Sequence, residues 1–190
     1  MRADARRNRE RITTAALRLF AERGPEVSME EIARAAGLGV GTLYRHFPDR
    51  RALAKEIAAV TLEDLLDAAR AAIARDAPRW DVLRAMVAQA AGRPMSLLKS
   101  LLEAGDTETP RLRELQDAYN ASLTEVVRAA QDEGTLRRDL SPDQVMGLFN
   151  LALCRPGARA DDAVVTVVLD GLRSRGDAAA GTGQVRVAGR

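Results

Sequence analysis

Apolar residues recur every three or four positions along most of this chain, which is the spacing that places them on one face of an α-helix. The first such stripe comprises Ile12, Ala15, Ala16, Leu17, Leu19 and Phe20. Similar stripes predict helices over about 5–23, 49–75, 78–91, 94–104, 109–134, 141–154 and 161–174. Together with two short helices within 28–47, they predict an all-α fold of about nine helices.

Local signals mark several helix ends. Thr109 followed by Pro110 begins one predicted helix, and the capping box Ser141-Pro142-Asp143-Gln144 begins another. The valine-rich stretch 164–168 has the composition of a strand, but the chain offers it no strand partner, so we assign it to the last helix. From residue 176 onward, small and polar residues predict a disordered tail.

Residues 28–47 predict two short helices joined by a tight turn. Ser28 is the expected N-cap of the first helix, and Glu31, three residues later, completes a capping box. Gly37 follows that helix and can adopt the positive φ that a sharp turn needs. The segment therefore predicts a helix-turn-helix.

The second of these helices, about 40–47, is expected to carry different chemistry on its two faces. Val40 and Leu43 are predicted to point inward. The outward side chains supply a hydroxyl, a phenol, a guanidinium and an imidazole, without a carboxylate: Thr42, Tyr44, Arg45 and His46. A helix that only faces solvent would normally include Glu or Asp, so this face indicates contact with DNA.

The string Gly41-Thr42-Leu43-Tyr44-Arg45-His46-Phe47, followed by Asp49 and Leu53, closely resembles the DNA-binding domain of the tetracycline-repressor (TetR) family of bacterial transcription regulators. The resemblance is specific over about residues 6–60, and beyond them only size and helical character agree. It implies an N-terminal DNA-binding domain of three helices, joined to a C-terminal helical domain for ligand binding and dimerisation.

The resemblance also implies DNA contacts for six side chains: Ser28, Thr42, Tyr44, Arg45, His46 and Arg50. Arg45 would face the major groove, where a guanidinium can bond guanine O6 and N7. Tyr44 and His46 would bond phosphate oxygens, and Arg50 would add to a phosphate clamp at the start of the fourth helix. Ser28 would divide its hydroxyl between capping and the DNA backbone.

One departure from the family bears on sequence readout. Many relatives have a polar cap and a polar or basic residue where this chain has Gly39 and Val40. Fewer polar groups would therefore enter the groove at that end, and base readout would depend more on Thr42, which matches a phosphate- or base-contacting position, and on Arg45.

The distribution of charge agrees with this division. Residues 1–55 carry twelve Arg or Lys against seven Asp or Glu, whereas the remainder carries seventeen against twenty. A basic head suits phosphate neutralisation, although arginine could simply be this chain's preferred solubilising residue. We predict a DNA-binding domain over 1–48, a regulatory and dimerisation domain over 49–175 with helix 49–75 as connector, and the tail over 176–190.

Two sets of residues in the C-terminal half have candidate roles. The resemblance implies that the last two helices pair with those of a second subunit, through Val145, Leu148, Phe149, Ala152, Val165, Val168, Leu169 and Leu172. A small, mostly apolar effector would fit among side chains expected on the inner faces of the middle helices: Met86, Gln89, Met95, Leu98, Leu102, Tyr119, Leu123 and Asn150. An ordinary core would produce both patterns.

Composition narrows the other possibilities. No stretch approaches the roughly 20 apolar residues of a membrane span, and the Arg-rich N-terminus is not followed by the apolar segment of a secretory signal. A single cysteine, Cys154, fits a reducing cytoplasm and is more readily a buried apolar residue than a redox sensor. With one histidine and no metal-spaced cluster, we expect no enzyme, metal or cofactor.

The sequence thus predicts a cytoplasmic, homodimeric bacterial transcription regulator. The expected activity is repression at a palindromic operator, relieved by a small-molecule effector. An activator, or a constitutive regulator without a ligand, is the alternative within the same class. A helical module whose basic head binds an acidic protein is the alternative from another class.

Overall fold

The computed structural model describes residues 2–104 and 110–174, and nine α-helices lie within them. They are α1 (Arg2–Arg23), α2 (Met29–Ala35), α3 (Val40–His46), α4 (Arg50–Ile73), α5 (Arg79–Ala90), α6 (Met95–Glu103), α7 (Pro110–Asp132), α8 (Pro142–Leu153) and α9 (Ala163–Leu172). The predicted all-α fold is confirmed, and the valine-rich stretch is helical. The predicted cap at Thr109 and the predicted tail, 176–190, lie outside the described residues.

The first three helices form the head, residues 2–47, and the start of α2 follows the predicted capping box. The Ser28 hydroxyl accepts a hydrogen bond from the Glu31 backbone N–H at 3.2 Å, and the Glu31 carboxylate accepts one from the Ser28 backbone N–H at 3.0 Å. The latter bond is the main reason that the pKa of Glu31 is lowered. Val27 and Ile32 are both buried, which fixes the direction in which the chain enters α2.

The turn between α2 and α3 uses the predicted glycine. Gly37 has φ +64°, and the next residue, Leu38, donates its N–H back to the Ala33 carbonyl at 2.9 Å. Leu43 then anchors α3 in the core with no exposed surface. The expectation that Val40 points inward is wrong, because 40% of its surface is exposed. Val40 is the first residue of α3, and neighbouring helices cover that end less than they cover Leu43.

The long helix α4 connects the head to the rest of the chain. Asp49 caps it, accepting the Ala52 backbone N–H at 2.7 Å. Its first half buries Leu53 and Ile57, and its second half buries Leu62 and Leu65. Helix α4 packs against α1 at one end and against α5 and α7 further along. A change in the tilt of α4 would therefore move the head.

The remaining helices form the body, residues 79–174. Helix α7 packs against α4, α5 and α8, and α8 packs against α9. The predicted capping box at Ser141 begins α8, with Pro142 at its first position. An isolated antiparallel bridge between Leu136 and Arg173 ties the end of α9 to the connection before α8. Among the described residues, no helix is long and apolar enough to cross a membrane.

Candidate DNA-binding surface

Helix α3 presents a polar face while its apolar residues hold it in place. Leu43 and Phe47 are buried, and Phe47 ends the helix by donating its backbone N–H to the Leu43 carbonyl at 2.9 Å. Around these anchors, Tyr44 is 44% exposed and Arg45 is also exposed, whereas Thr42 and His46 are half-buried. Four polar side chains thus lie close together on one short helix, which is the geometry that reads a groove.

Val40 belongs to this surface, although the sequence pattern assigned it to the core. It lies one turn before Tyr44, and both side chains are exposed. The signal that could have revealed it is its position: the first residue of a short helix has fewer neighbours than a residue in the middle. The two methyl groups of Val40 therefore form an apolar patch beside the polar groups of α3.

The Ser28 hydroxyl is fully engaged by capping. It accepts from the Glu31 N–H and donates to the Glu31 carboxylate at 3.1 Å. Glu31 is in turn paired with Arg23 at 2.9 Å. A phosphate oxygen is an acceptor, so Ser28 can bond one only if its hydroxyl turns away from Glu31.

Arg50 lies at the start of α4, next to the positive end of the helix dipole. The side chain is half-buried, and its Nη2 is shielded from solvent without a hydrogen-bond partner in the described part of the chain. An unpaired guanidinium nitrogen is costly. A modest rotation toward an anion outside the helix would supply the missing acceptor.

Two arginines in the first half of α1 have partners in the head and in α4. The Arg9 guanidinium contacts the Glu56 carboxylate at 2.8 Å and lies 4.5 Å from the centre of the Phe47 ring. Arg11 donates to the Gly37 carbonyl at 3.1 Å, across the turn before α3. The excess of basic residues in 1–55 suggests that these side chains contact phosphates. Their contacts in the structure instead hold α1 against the end of α3, against α4 and against the turn before α3.

The predicted effector residues divide into two groups. Met86, Leu98, Tyr119 and Leu123 are buried, and Met95 is half-buried. Burial raises the pKa of Tyr119 to about 12, so its phenol stays protonated. The side chain of Leu102 lies outside the described part of the chain.

The two predicted amides do not share this location. Gln89 and Asn150 are exposed, and the Asn150 side-chain oxygen accepts from the Cys154 thiol at 3.8 Å. Both residues lie beside a buried stripe rather than within it, so the expectation that they face inward is wrong. Cys154 itself is half-buried, and burial raises the pKa of its thiol.

The predicted dimerisation stripe faces the chain's own core. Five of its eight members are buried inside the body, where a partner cannot touch them: Val145, Phe149, Ala152, Val165 and Leu172. Leu148, Val168 and Leu169 are half-buried. The large apolar side chains of this helix pair that remain exposed are Leu151, Val164 and Val167. Helical spacing identified an apolar face correctly, but most of that face packs within one chain.

Two surface clefts lie away from the predicted effector residues. One of about 700 Å³ separates α1 from the end of α2 and is lined by Arg7, Arg11 and Arg18 among others. Another of about 380 Å³ lies between α5 and α9, and its lining includes Arg84 and Leu169, a member of the predicted dimerisation set. Neither is lined by a predicted effector residue. Within the described residues, no cluster of His, Cys, Asp or Glu side chains is suited to holding a metal ion.

Similarity to known proteins agrees with this surface. Residues 12–57 match the sequence profile of bacterial regulatory proteins of the tetR family, and residues 79–174 match that of the C-terminal domain of SbtR-like transcriptional regulators. An HTH-type transcriptional regulator of Staphylococcus aureus (strain USA300) is 55% identical over 51 residues, which are 26% of this chain and 28% of that protein. The match therefore spans little more than a quarter of that curated relative.

Two crystal structures extend the similarity along the chain. The TetR transcription regulatory protein from Mycobacterium vanbaalenii is 36% identical, over 90% of this chain and 98% of that one, with a TM-score of 0.57. The TetR transcriptional regulator SCO0520 from Streptomyces coelicolor is 30% identical, over 88% and 99%, with a TM-score of 0.56. The chain therefore belongs to the TetR family of bacterial transcription regulators, with a helix-turn-helix DNA-binding domain at its N-terminus, and it is not an enzyme.

Proposed function

We propose that this protein is a homodimeric repressor that binds a palindromic operator and is released by a small-molecule effector. The observation that carries the proposal is the exposed face of α3, which presents Tyr44 and Arg45 between the buried anchors Leu43 and Phe47. The face has hydrogen-bond donors and a positive charge but no carboxylate. Such a face suits the acceptor-rich floor and negatively charged walls of the DNA major groove.

Base readout is assigned to Arg45, Thr42 and Val40. The guanidinium of Arg45 can bond both acceptors of a guanine, and one such bidentate pair discriminates by about 1–3 kcal/mol against a wrong base. The exposed methyl groups of Val40 are suited to the methyl group of a thymine. We therefore expect each operator half-site to contain a guanine and a thymine within one turn of the DNA helix.

Phosphate contacts are assigned to Tyr44, His46 and Arg50, with Ser28 at the edge of the surface. Arg50 has the strongest individual case, since its unpaired Nη2 lies beside the positive end of α4. These contacts set the register of the protein on the duplex without reading its sequence. Their loss should weaken binding to every duplex by a similar factor.

The dimer face is assigned to the outer sides of α8 and α9. Leu151 is 72% exposed, Val167 is 68% exposed and Val164 is 45% exposed, on two helices that pack together. We propose that a second copy of this chain packs against this face. One seven-residue recognition helix reads few base pairs, whereas two of them about 34–36 Å apart read both halves of a palindrome.

The effector is assigned to the inner faces of α5, α6 and α7. Met86, Leu98 and Leu123 supply apolar surface, and the Tyr119 phenol supplies a protonated donor. These faces are closely packed, so an apolar molecule that enters must separate them. Because α7 packs against α4, the separation would tilt α4 and move the head. A coupling of about 1–3 kcal/mol would lower operator affinity roughly 5- to 150-fold.

Selection of bound duplexes from a random pool, with purified protein at two salt concentrations, tests DNA reading and dimerisation together. The proposal predicts a palindrome that persists at the higher salt. Recovery of random duplexes at low salt only would refute it. Deleting the gene and measuring neighbouring transcripts then tests the sign of regulation: transcripts of a repressor's targets rise, and a fall would instead identify an activator.

A further inference from the structure

The connection between α8 and α9 extends to the head. Within it, the Gly157 backbone N–H donates to the Ala21 carbonyl in the last turn of α1 at 2.8 Å. The last four carbonyls of a helix have no partner within that helix. The connection therefore supplies one of the hydrogen bonds that the end of α1 would otherwise lack. We call residues 155–158 the head clamp.

A close steric contact accompanies this hydrogen bond. Gly24, the residue after α1, is buried and has φ +81°. A Cβ atom at this position would lie 2.7 Å from Cγ of Pro156 and 3.5 Å from its Cβ. Glycine is required here both by the backbone conformation and by the proline ring. The backbone of Gly24 in the head thus packs so closely against the Pro156 ring of the clamp that no side chain fits between them.

The clamp is also fixed to the body. Arg155 pairs with Asp162 at the start of α9 and donates to the Ala152 carbonyl in α8 at 3.1 Å. Ala158 is buried, and its carbonyl accepts the Gly92 backbone N–H from the turn between α5 and α6 at 2.8 Å. The clamp is therefore a stiff link, with one side held by α8 and α9 and the other side against α1.

We propose that Pro156 and Gly157 are positioning residues for operator recognition, which fix the head relative to the dimer helices and so set the spacing between the two half-sites that a dimer reads. The inference depends on the proposed homodimer. It adds a path from the body to the head beside α4 and the packing of α6 against α1, since the clamp contacts the end of α1 directly.

The length of α1 makes small changes at the clamp matter. The helix has 22 residues, so it is about 33 Å long at a rise of about 1.5 Å per residue. Arg9 and Arg11, which contact Phe47 and the turn before α3, lie about 15–18 Å along α1 from Ala21. A tilt of about 5° at the clamp would therefore displace α3 by about 1.5 Å, and the two heads of a dimer together would change the half-site spacing by about 3 Å, close to the roughly 3.4 Å rise of one base pair.

The test uses the full-length protein and the selected palindrome, with the spacer between half-sites shortened or lengthened by one base pair. Gly24→Ala forces a Cβ against Pro156, and Gly134→Ala is the matched control. Gly134 also has positive φ, at +72°, but nothing lies within 4 Å of a Cβ there. The double variant Gly24→Ala with Pro156→Ala removes the closest ring carbon and should partly restore the original geometry.

We expect wild-type protein and Gly134→Ala to prefer one spacer by roughly tenfold or more, in the range of coupling between distant sites. Gly24→Ala should lose or shift that preference, and the double variant should recover part of it. Mere destabilisation would lower binding to every spacer by one factor and leave the preference unchanged. Circular dichroism establishes that each variant is folded, and Pro156→Ala alone, which creates no clash, should broaden the preference even if Gly24→Ala does not fold.

An unchanged preference in Gly24→Ala and in Pro156→Ala would overturn the role of the clamp while leaving the proposed repressor intact. Wild-type protein that is monomeric in solution, or that selects no palindrome, would overturn the proposed function and this inference with it. The wild-type measurement thus separates the two failures.

Discussion

Replacing Leu43 by alanine tests what holds the recognition helix in place. Leu43 has no exposed surface and is the central anchor of α3. The substitution removes three buried carbon atoms, worth about 0.8 kcal/mol each in transfer free energy, and leaves a cavity. We therefore expect the free energy of unfolding to fall by about 3–4 kcal/mol, within the range of about 2–5 kcal/mol for such core truncations.

The adjacent residue provides the control. Tyr44 is 44% exposed, so Tyr44→Ala should change the free energy of unfolding by no more than about 0.5–1 kcal/mol while weakening binding to DNA. Urea unfolding followed by circular dichroism measures stability, and fluorescence anisotropy with labelled duplex measures binding for the fraction that is folded. A larger loss of stability for Tyr44→Ala than for Leu43→Ala would refute the assignment of the two faces of α3.

Three further outcomes follow from contacts of the head and of α9. Glu56→Gln should weaken operator binding by no more than about fivefold, because the exposed pair with Arg9 orients the head; tighter binding would mean that Glu56 competes with phosphate for Arg9. Val167→Lys should convert the dimer to monomer in light scattering, since Val167 is 68% exposed on the proposed dimer face, and an intact dimer would exclude that face. The pKa of Glu31 is lowered first by the Ser28 backbone N–H, which alanine retains, and next by the Ser28 hydroxyl, which alanine lacks. The stability that Ser28→Ala loses through the missing hydroxyl–carboxylate bond should therefore be greatest above about pH 4.3, the usual pKa of glutamate, and shrink as pH falls through the lower folded pKa. A difference between variant and wild type that is constant from pH 3 to pH 7 would contradict this.

Helix ends were predictable from the sequence because their signals are local. Ser28 and Ser141 each cap a helix with the residue three positions later, and those bonds depend only on a few neighbouring residues. The string around Tyr44 likewise identifies the recognition helix, because its chemistry is concentrated within one short segment.

Burial was harder to predict because it depends on which elements cover a stripe. Val40 has the spacing of a core residue, but it lies at an open helix end. The stripe of α8 was expected to pair with a partner subunit or to form an ordinary core, and its residues Val145, Phe149 and Ala152 are buried within the chain. The contact of Gly24 with Pro156 joins residues far apart in sequence, so no local pattern indicates it.

The central claim is that α3 reads base sequence, and one comparison tests it most directly. Equilibrium binding of wild-type protein, Arg45→Ala and Arg128→Ala should be measured on the selected palindrome and on a scrambled duplex. Arg128 is an exposed arginine of α7 in the body, which matches the charge change without touching the head. We predict that Arg45→Ala loses about 1–3 kcal/mol of discrimination between the two duplexes for each half-site, while Arg128→Ala keeps the wild-type ratio. Equal losses on both duplexes for Arg45→Ala would contradict the base-reading role of α3.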